Sequence, residues 1–110
     1  MLIVNTDHGY LLGEHGWWSK VVMPCYDEIA HIPLFIHDPR FAADGQRRKE
    51  IVQTIDLPAT VLEFFNVGLP KNMQGRPIRT VIEKDEKSGI MHYLEFTVRM
   101  LIFMMENIFI

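Results

Sequence analysis

Residues 2–9 read Leu-Ile-Val-Asn-Thr-Asp-His-Gly, and this stretch decides the fold. Its first residues form a short apolar, β-branched run, which is typical of an interior strand of a parallel sheet. Polar residues follow at once, so Asp7 and His8 are predicted to lie at the carboxyl end of that strand. Ligands of open α/β sheets bind at this edge. The two side chains are therefore candidate ligands.

Each of these residues has a chemical interpretation and an ordinary structural one. Asp7 offers carboxylate oxygens to a divalent cation, and His8 offers a nitrogen ligand or a hydrogen-bond donor to an anion. Gly9 allows a sharp turn and leaves no side chain in the site. Alternatively, Asp7 is a helix cap or turn former, and His8 is a surface or internally satisfied histidine. The joint placement of the residues favours the chemical interpretation.

A second candidate lies further along the glycine-rich segment between Thr6 and Lys20. Residues 12–20 read Leu-Gly-Glu-His-Gly-Trp-Trp-Ser-Lys, which predicts a loop with one helical turn. Lys20 could bring a compact positive charge to a substrate oxyanion. The alternative is an ordinary solvated lysine.

The rest of the chain alternates between short strand and helix patterns, which predicts an α/β fold. Asp56 is the expected N-cap of the longest helix, and Gly68 is the expected helix stop. The predicted elements are a helix at Tyr26–His31, a buried strand at Leu34–His37, a surface connection at Pro39–Glu50, a strand at Ile51–Ile55, a helix at Leu57–Phe65 and a loop at Leu69–Ile78.

The bulk composition restricts the class of protein. The 110 residues suffice for one small domain, and 48% hydrophobic with 23% charged residues is a globular composition. The formal net charge is −3, without a basic stripe or a cationic amphipathic helix, which argues against nucleic-acid and membrane partners. Cys25 is the only cysteine, so an internal disulfide and a cysteine-rich zinc site are excluded. No signal peptide is predicted, and this slightly favours a cytoplasmic location.

Five separated motifs together resemble the sulfatase family of the alkaline phosphatase superfamily, and the iduronate-2-sulfatase type most closely. The resemblance covers residues 1–82, which correspond to part of the catalytic domain in the C-terminal half of a sulfatase. The chain is therefore interpreted as a fragment. The motifs are Asp7-His8-Gly9, Leu12–Lys20, Tyr26-Asp27-Glu28 with His31–Ile36, Thr54–Thr60, and Gln74–Ile78.

The resemblance implies a role for individual residues. Asp7 and His8 match positions that bind the active-site divalent cation, usually calcium. Lys20 matches the catalytic lysine that contacts the sulfate group, and His15 either orients the loop or approaches the substrate. The implied fold is an alkaline-phosphatase-like sandwich with a mainly parallel sheet.

The implied reaction is metal-dependent hydrolysis of a small-molecule or carbohydrate sulfate ester. In the family, a formylglycine made from Cys or Ser in a Cys/Ser-x-Pro/Ala-x-Arg motif is the nucleophile. Cys25 is followed by Tyr-Asp-Glu-Ile, so this chain carries no nucleophile motif, and it is predicted to be inactive alone. Cys25 is instead expected to be a buried or semi-buried structural residue. Two other functions stay open: a phosphonate or phosphodiester hydrolase of the same superfamily, and a non-catalytic remnant.

Residues 83–110 are interpreted as a charged linker at residues 83–89 and an atypical, methionine-rich apolar tail. The uncharged run between Arg99 and Glu106 is far shorter than the ~20 apolar residues of a membrane span. A frameshift near Ser88–His92 is one hypothesis, because the shifted frame permits Gly-Ser-His-Val-Asn-Ile-Tyr-Asp-Gly, which resembles the family's continuation. The alternative is an amphipathic terminal helix that docks on the core.

Overall fold

A computed structural model describes residues 1–41 and 45–84, and the backbone of two short strands within residues 104–109. The described part mixes short strands with three helices, which confirms the predicted mixture of both element types. The elements are β1 (Leu2–Asn5), β2 (Leu11–Leu12), a 3₁₀ turn (Glu14–Gly16), β3 (Trp18–Ser19), α1 (Asp27–Ala30), β4 (Leu34–His37), β5 (Arg47–Arg48), β6 (Val52–Gln53), α2 (Asp56–Phe64), α3 (Arg79–Lys84), β7 (Met104–Met105) and β8 (Ile108–Phe109).

The largest sheet has four strands in the order β1-β4-β8-β5. Strand β1 is antiparallel to β4, with Ile3 opposite Ile36, and β5 is antiparallel to β8. Only the β4–β8 pairing is parallel among the described strands. The mainly parallel sheet expected from the sequence is therefore not confirmed, since the described sheet is mixed.

The connection between β1 and β4 carries a single short α-helix. Parallel neighbours need a crossover that runs back along the sheet, usually on a helix. The helix between these strands, α1, has four residues and spans about 6 Å at 1.5 Å per residue. Such a helix is shorter than the strands themselves, so it is not the long crossover helix that usually joins parallel neighbours.

Among the described strands, β1 lies at the edge of the sheet, and not in its interior as predicted. One face of the β1–β4 pair leaves Leu2, Val4 and Phe35 exposed. The opposite face packs on the core, where Ile36 is buried and Ile3 is partly buried. The apolar run does form a strand, but only one of its faces is covered in the described part of the chain.

The core joins β4 and β6 to the segment around α3. Full burial of one such aliphatic side chain contributes about 1.5–3 kcal/mol. The buried cluster consists of Ile32, Leu34, Ile36, Val52, Ile78, Val81 and Ile82.

Helix α2 begins and ends differently from the sequence prediction. Asp56 is its first residue and not its N-cap. The Asp56 carboxylate instead accepts hydrogen bonds from the backbone N–H groups of Gln53 (2.9 Å) and Arg76 (2.8 Å), which lie outside the helix. The helix ends before Gly68, since Asn66 takes the left-handed conformation with φ 56°. Asparagine tolerates that conformation better than most residues. The predicted stop was therefore two residues too late.

The loop after α2 is held close to the helix N-terminus. The Thr60 hydroxyl donates to the carbonyl of Asp56 (2.7 Å) and accepts the N–H of Ile78 (3.1 Å). A Cβ on Gly75 would lie 1.8 Å from the carbonyl oxygen of Ile55, so only glycine fits at this close approach.

A buried ion pair connects the end of β4 to α2. The Asp38 side chain is 0% exposed, and Arg40 Nη2 lies 2.7 Å from one of its oxygens. The same guanidinium reaches Glu63 of α2 at 3.0 Å. Burial alone would raise the pKa of the Asp38 carboxyl, but hydrogen bonds from the side chain and backbone of Arg40, together with its charge, hold that pKa below its ordinary value.

The lowered pKa of Asp38 predicts that acid destabilises the fold. The contribution of the carboxylate is complete above its unfolded-state pKa of about 3.9, and it is lost as the pH falls through the lower folded-state pKa. We expect Asp38→Asn to be less stable than the wild type at neutral pH, with the gap narrowing below about pH 4. Urea denaturation over a pH series measures this gap. A gap that stays constant across the series would contradict the charged pairing.

The predicted surface connection at residues 39–50 contains a buried side chain. Arg48 in β5 is 9% exposed, and its guanidinium donates to the carbonyls of Val81 (3.0 Å) and Ile82 (2.7 Å). These carbonyls belong to the last turn of α3, and the last four carbonyls of a helix have no partner within the helix itself. Arg48 therefore caps α3 from a distant part of the chain.

The predicted linker and tail are only partly described. Glu83 and Lys84 end α3, which the sequence prediction had missed, while residues 85–103 lie outside the described residues. The hypothesis of a frameshift near Ser88–His92 falls in that range. Within the described residues, no helix has the length and apolar character needed to cross a membrane.

Candidate functional site

The candidate site begins where β1 ends. The hydroxyl of Thr6 lies 3.1 Å from the carbonyl oxygen of His8 and 3.4 Å from Asp7 Oδ1, so it shapes the turn that carries both residues. Asp7 points into solvent, with 82% of its side chain exposed, whereas His8 is 23% exposed. The turn therefore presents one accessible carboxylate beside one partly covered imidazole.

Gly9 fixes this turn against α1. Its N–H donates to the carbonyl of Ile29 at 2.8 Å. A Cβ at this position would lie 1.7 Å from the carbonyl oxygen of Glu28 and 3.0 Å from the Cα of Ile29. Real Cβ atoms do not approach a backbone oxygen so closely, so the site requires glycine because of the close approach of α1.

The carbonyl of Gly9 also sets the tautomer of His8. His8 Nδ1 lies 2.8 Å from this oxygen, and a carbonyl only accepts, so we assign the ring proton to Nδ1. In the neutral ring, Nε2 then carries a lone pair. Metal-binding histidines are commonly oriented by such a bond to a backbone carbonyl.

Lys20 and Asp7 both approach the Nε2 atom of His8. The ammonium of Lys20 contacts Nε2, and Asp7 Oδ2 lies 3.3 Å from it. The structure thus brings together the three residues that the sequence predicted as metal ligands and as the sulfate-binding lysine. The carboxylate oxygen and Nε2 are both acceptors, so a positive group between them is favourable. A divalent cation is one such group.

The hairpin β2–β3 carries Lys20 to this position. Leu11 is buried and pairs with Ser19, while Leu12 opposite Trp18 is exposed. Ser19 has φ 104°, so the chain bends immediately before Lys20. The pairing of Leu11 anchors the hairpin, and the bend ends it next to His8.

His15 ties the same hairpin to α1. Its ring stacks on Tyr26 with centroids 3.9 Å apart and an interplanar angle of 11°. Its Nε2 lies 3.1 Å from Glu28 Oε1. His15 itself is left-handed, with φ 56°. The sequence offered His15 as a loop-orienting or substrate-binding residue, and the structure places it in contacts that orient the loop.

Helix α1 therefore contacts both the turn that carries His8 and the hairpin that carries Lys20. The carbonyl of Ile29 accepts the N–H of Gly9, and the Glu28 carboxylate contacts the His15 ring. Sequence reasoning identified the Tyr-Asp-Glu stretch as a motif but gave no role to Tyr26 or Glu28. The available signal for such a role was that Tyr26 and Glu28 lie close before Ile29, which is buried.

Cys25 lies just before this helix and is half-buried. Burial, and then the nearby negative charge of Asp27, raise the pKa of its thiol above the ordinary value. An activated nucleophilic cysteine has a lowered pKa. The half-buried position agrees with the structural role predicted for this residue.

Asp7 and His8 supply only part of a cation site. Calcium takes six to eight oxygen ligands. In the described residues, no group of three or more histidine, cysteine, aspartate or glutamate side chains is placed to hold a metal ion. The pair could hold a divalent cation only with further ligands.

The sequence profile of the family described as "N-sulphoglucosamine sulphohydrolase, C-terminal" matches residues 13–102. The match includes His15 and Lys20 and begins five residues after His8. It extends over most of the chain.

Curated relatives agree with the profile. An N-acetylglucosamine-6-O-sulfatase of Bacteroides thetaiotaomicron is 31% identical over 103 residues, covering 87% of this chain and 18% of the relative. An arylsulfatase of Clostridium perfringens is 30% identical over 82 residues, covering 72% and 17%. Arylsulfatase K of Homo sapiens is 33% identical over 75 residues, covering 68% and 13%. The chain thus spans less than a fifth of the length of these relatives, and no solved structure gives a significant match.

Proposed function

Because this chain belongs to the sulfatase family through the family's C-terminal region, we propose that it supplies one half of an active site for metal-dependent hydrolysis of sulfate esters. The observation that carries the proposal is the meeting of Asp7, His8 and Lys20 around one imidazole nitrogen at the end of β1. Two acceptor atoms suit a cation, and a lysine beside them suits an anion.

Each residue has a distinct part in the proposed reaction. Asp7 and His8 would hold a divalent cation, for which we propose calcium, and a cation held there would supply Lewis-acid polarisation of the sulfate oxygens. Lys20 binds the sulfate group and stabilises the negative charge that grows on its oxygens in the transition state. The carbonyl of Gly9 keeps the His8 ring in the ligating tautomer. Cys25, with its raised pKa, takes no part in the attack on sulfur.

The proposed substrates are carbohydrate or aryl sulfate esters. The names of the relatives support this class, since they include an N-acetylglucosamine-6-O-sulfatase and arylsulfatases. The iduronate-2-sulfatase type suggested by the sequence motifs is not confirmed by those names. We propose that this chain alone has no turnover, because it carries no formylglycine motif.

A chimera tests the proposed roles. The aligned segment of the Clostridium perfringens arylsulfatase is replaced by that of this chain, and hydrolysis of an aryl sulfate is measured. We expect an active chimera in which Lys20→Ala lowers kcat by about 10²-fold or more, as loss of one oxyanion-stabilising donor does. Lys71→Ala, a change in an exposed loop, is the matched control and should leave kcat unchanged.

The outcomes separate the competing functions. An active chimera that is insensitive to Lys20→Ala would contradict the role of this lysine. Faster hydrolysis of an aryl phosphodiester than of the aryl sulfate would favour the phosphodiester hydrolase. Turnover by the 110-residue chain alone would contradict the proposed inactivity.

A further inference from the structure

The three side chains of the site meet at a single atom, the Nε2 of His8. His8 Nε2 has one lone pair, because Nδ1 holds the ring proton against the carbonyl of Gly9 at 2.8 Å. The ammonium of Lys20 only donates, and it contacts this nitrogen. The lone pair that a metal ion needs is therefore already engaged by Lys20.

Asp7 makes the competition direct. Its Oδ2 lies 3.3 Å from Nε2, and neither atom carries a proton in this tautomer. Two acceptors at that distance favour a shared positive group. The ammonium of Lys20 fills that role here, and a divalent cation would fill the same role with a larger charge.

We propose that Lys20 and a divalent cation bind His8 in a mutually exclusive way, so that cation binding releases Lys20 toward the substrate anion. This inference rests on the proposed function and adds an order of events to it. Without the cation, the lysine stays on the imidazole. With the cation bound, charge repulsion and the loss of the lone pair drive the ammonium away, where it meets the sulfate group.

The hairpin permits this movement without moving itself. His15 remains stacked on Tyr26 and paired with Glu28, so the backbone before Lys20 stays attached to α1. Lysine has a flexible four-carbon stem, which lets its ammonium change partners while its Cα stays in place. The exchange therefore needs only side-chain rotation.

Calorimetric titration of the full chain with calcium chloride, and separately with manganese chloride, tests the competition. Lys20→Met keeps most of the side-chain length and removes the ammonium. We expect this variant to bind the cation roughly tenfold more tightly than the wild type, because the cation no longer displaces a charged hydrogen bond. Lys71→Met is the matched control and should bind as the wild type does, whereas His8→Ala should bind more weakly than both.

Salt separates local competition from a general charge effect. Exposed charges are screened over about 10 Å at 0.1 M ionic strength, so a gain due only to net charge should shrink strongly at higher salt. The gain of Lys20→Met is expected to persist. Equal affinities of Lys20→Met and the wild type would overturn the competition while leaving the metal site intact. No binding by either protein would overturn both the inference and the proposed metal site.

A second measurement follows the wild type through the calcium titration, and a variant is needed only to assign one signal. Nuclear magnetic resonance of ¹⁵N-labelled chain detects lysine ammonium groups that exchange slowly because they are hydrogen-bonded. The Lys20 signal, assigned by its loss in Lys20→Met, should be present without calcium and should shift or vanish on saturation. A signal that is unchanged at saturation would overturn the release of Lys20.

Discussion

Replacing Gly9 by alanine is expected to cause a large loss of stability in this chain. The new Cβ would lie 1.7 Å from the carbonyl oxygen of Glu28, so either α1 or the turn must move. Movement also breaks the hydrogen bond from the Gly9 N–H to Ile29. We expect the free energy of unfolding to fall by about 3 kcal/mol or more, at or above the upper range of overpacked sites. Urea denaturation followed by tryptophan fluorescence measures this loss.

Gly68→Ala is the matched control for Gly9→Ala. Nothing lies within 4 Å of the position a Cβ would take at Gly68. Alanine there restricts the unfolded chain and is expected to be neutral or to stabilise by about 0.4–1 kcal/mol. Similar unfolding curves for the two variants would show that α1 does not press against Gly9.

Arg40→Met is expected to have the second large effect. The substitution retains the aliphatic stem but leaves the carboxylate of Asp38, which is 0% exposed, without its cation. Removing one partner of a buried ion pair costs about 3–5 kcal/mol. A domain of marginal stability would lose much of its free energy of unfolding. The midpoint of urea denaturation should therefore fall steeply.

Arg79→Met tests whether burial is the cause. Arg79 also contacts Glu63, at 3.4 Å, but half of its side chain is exposed. Exposed ion pairs contribute about 1 kcal/mol or less. Equal losses for Arg40→Met and Arg79→Met would mean that Asp38 does not depend on Arg40.

The elements that the sequence predicted correctly have local signals. Strand β4 follows Pro33 at the predicted residues, although only alternate residues are buried and not the whole strand as predicted, and α1 begins with acidic residues. Helix α3 was missed because its C-terminal carbonyls are capped by Arg48, which lies more than 30 positions earlier. A partner so distant in the chain leaves no mark in a local window. Strand direction was also missed, because hydrophobic pattern reports burial and not orientation.

The candidate site was likewise predicted only in part. The motif around Asp7 and His8 and the position of Lys20 were predicted, and the structure brings their side chains together. The contact of His15 with Tyr26 was not predicted, because it depends on the left-handed backbone of His15. A non-glycine residue with positive φ is uncommon, so sequence patterns rarely indicate one.

The double attachment of α1 has a mechanical consequence. One short helix contacts the turn of Gly9 directly and contacts the β2–β3 hairpin through His15. A displacement of α1 would move the turn and the hairpin in the same direction, so the distance between them would change little. That distance is set by the turn and the hairpin themselves. The conformation of the Lys20 side chain is therefore the part of the site that can adjust.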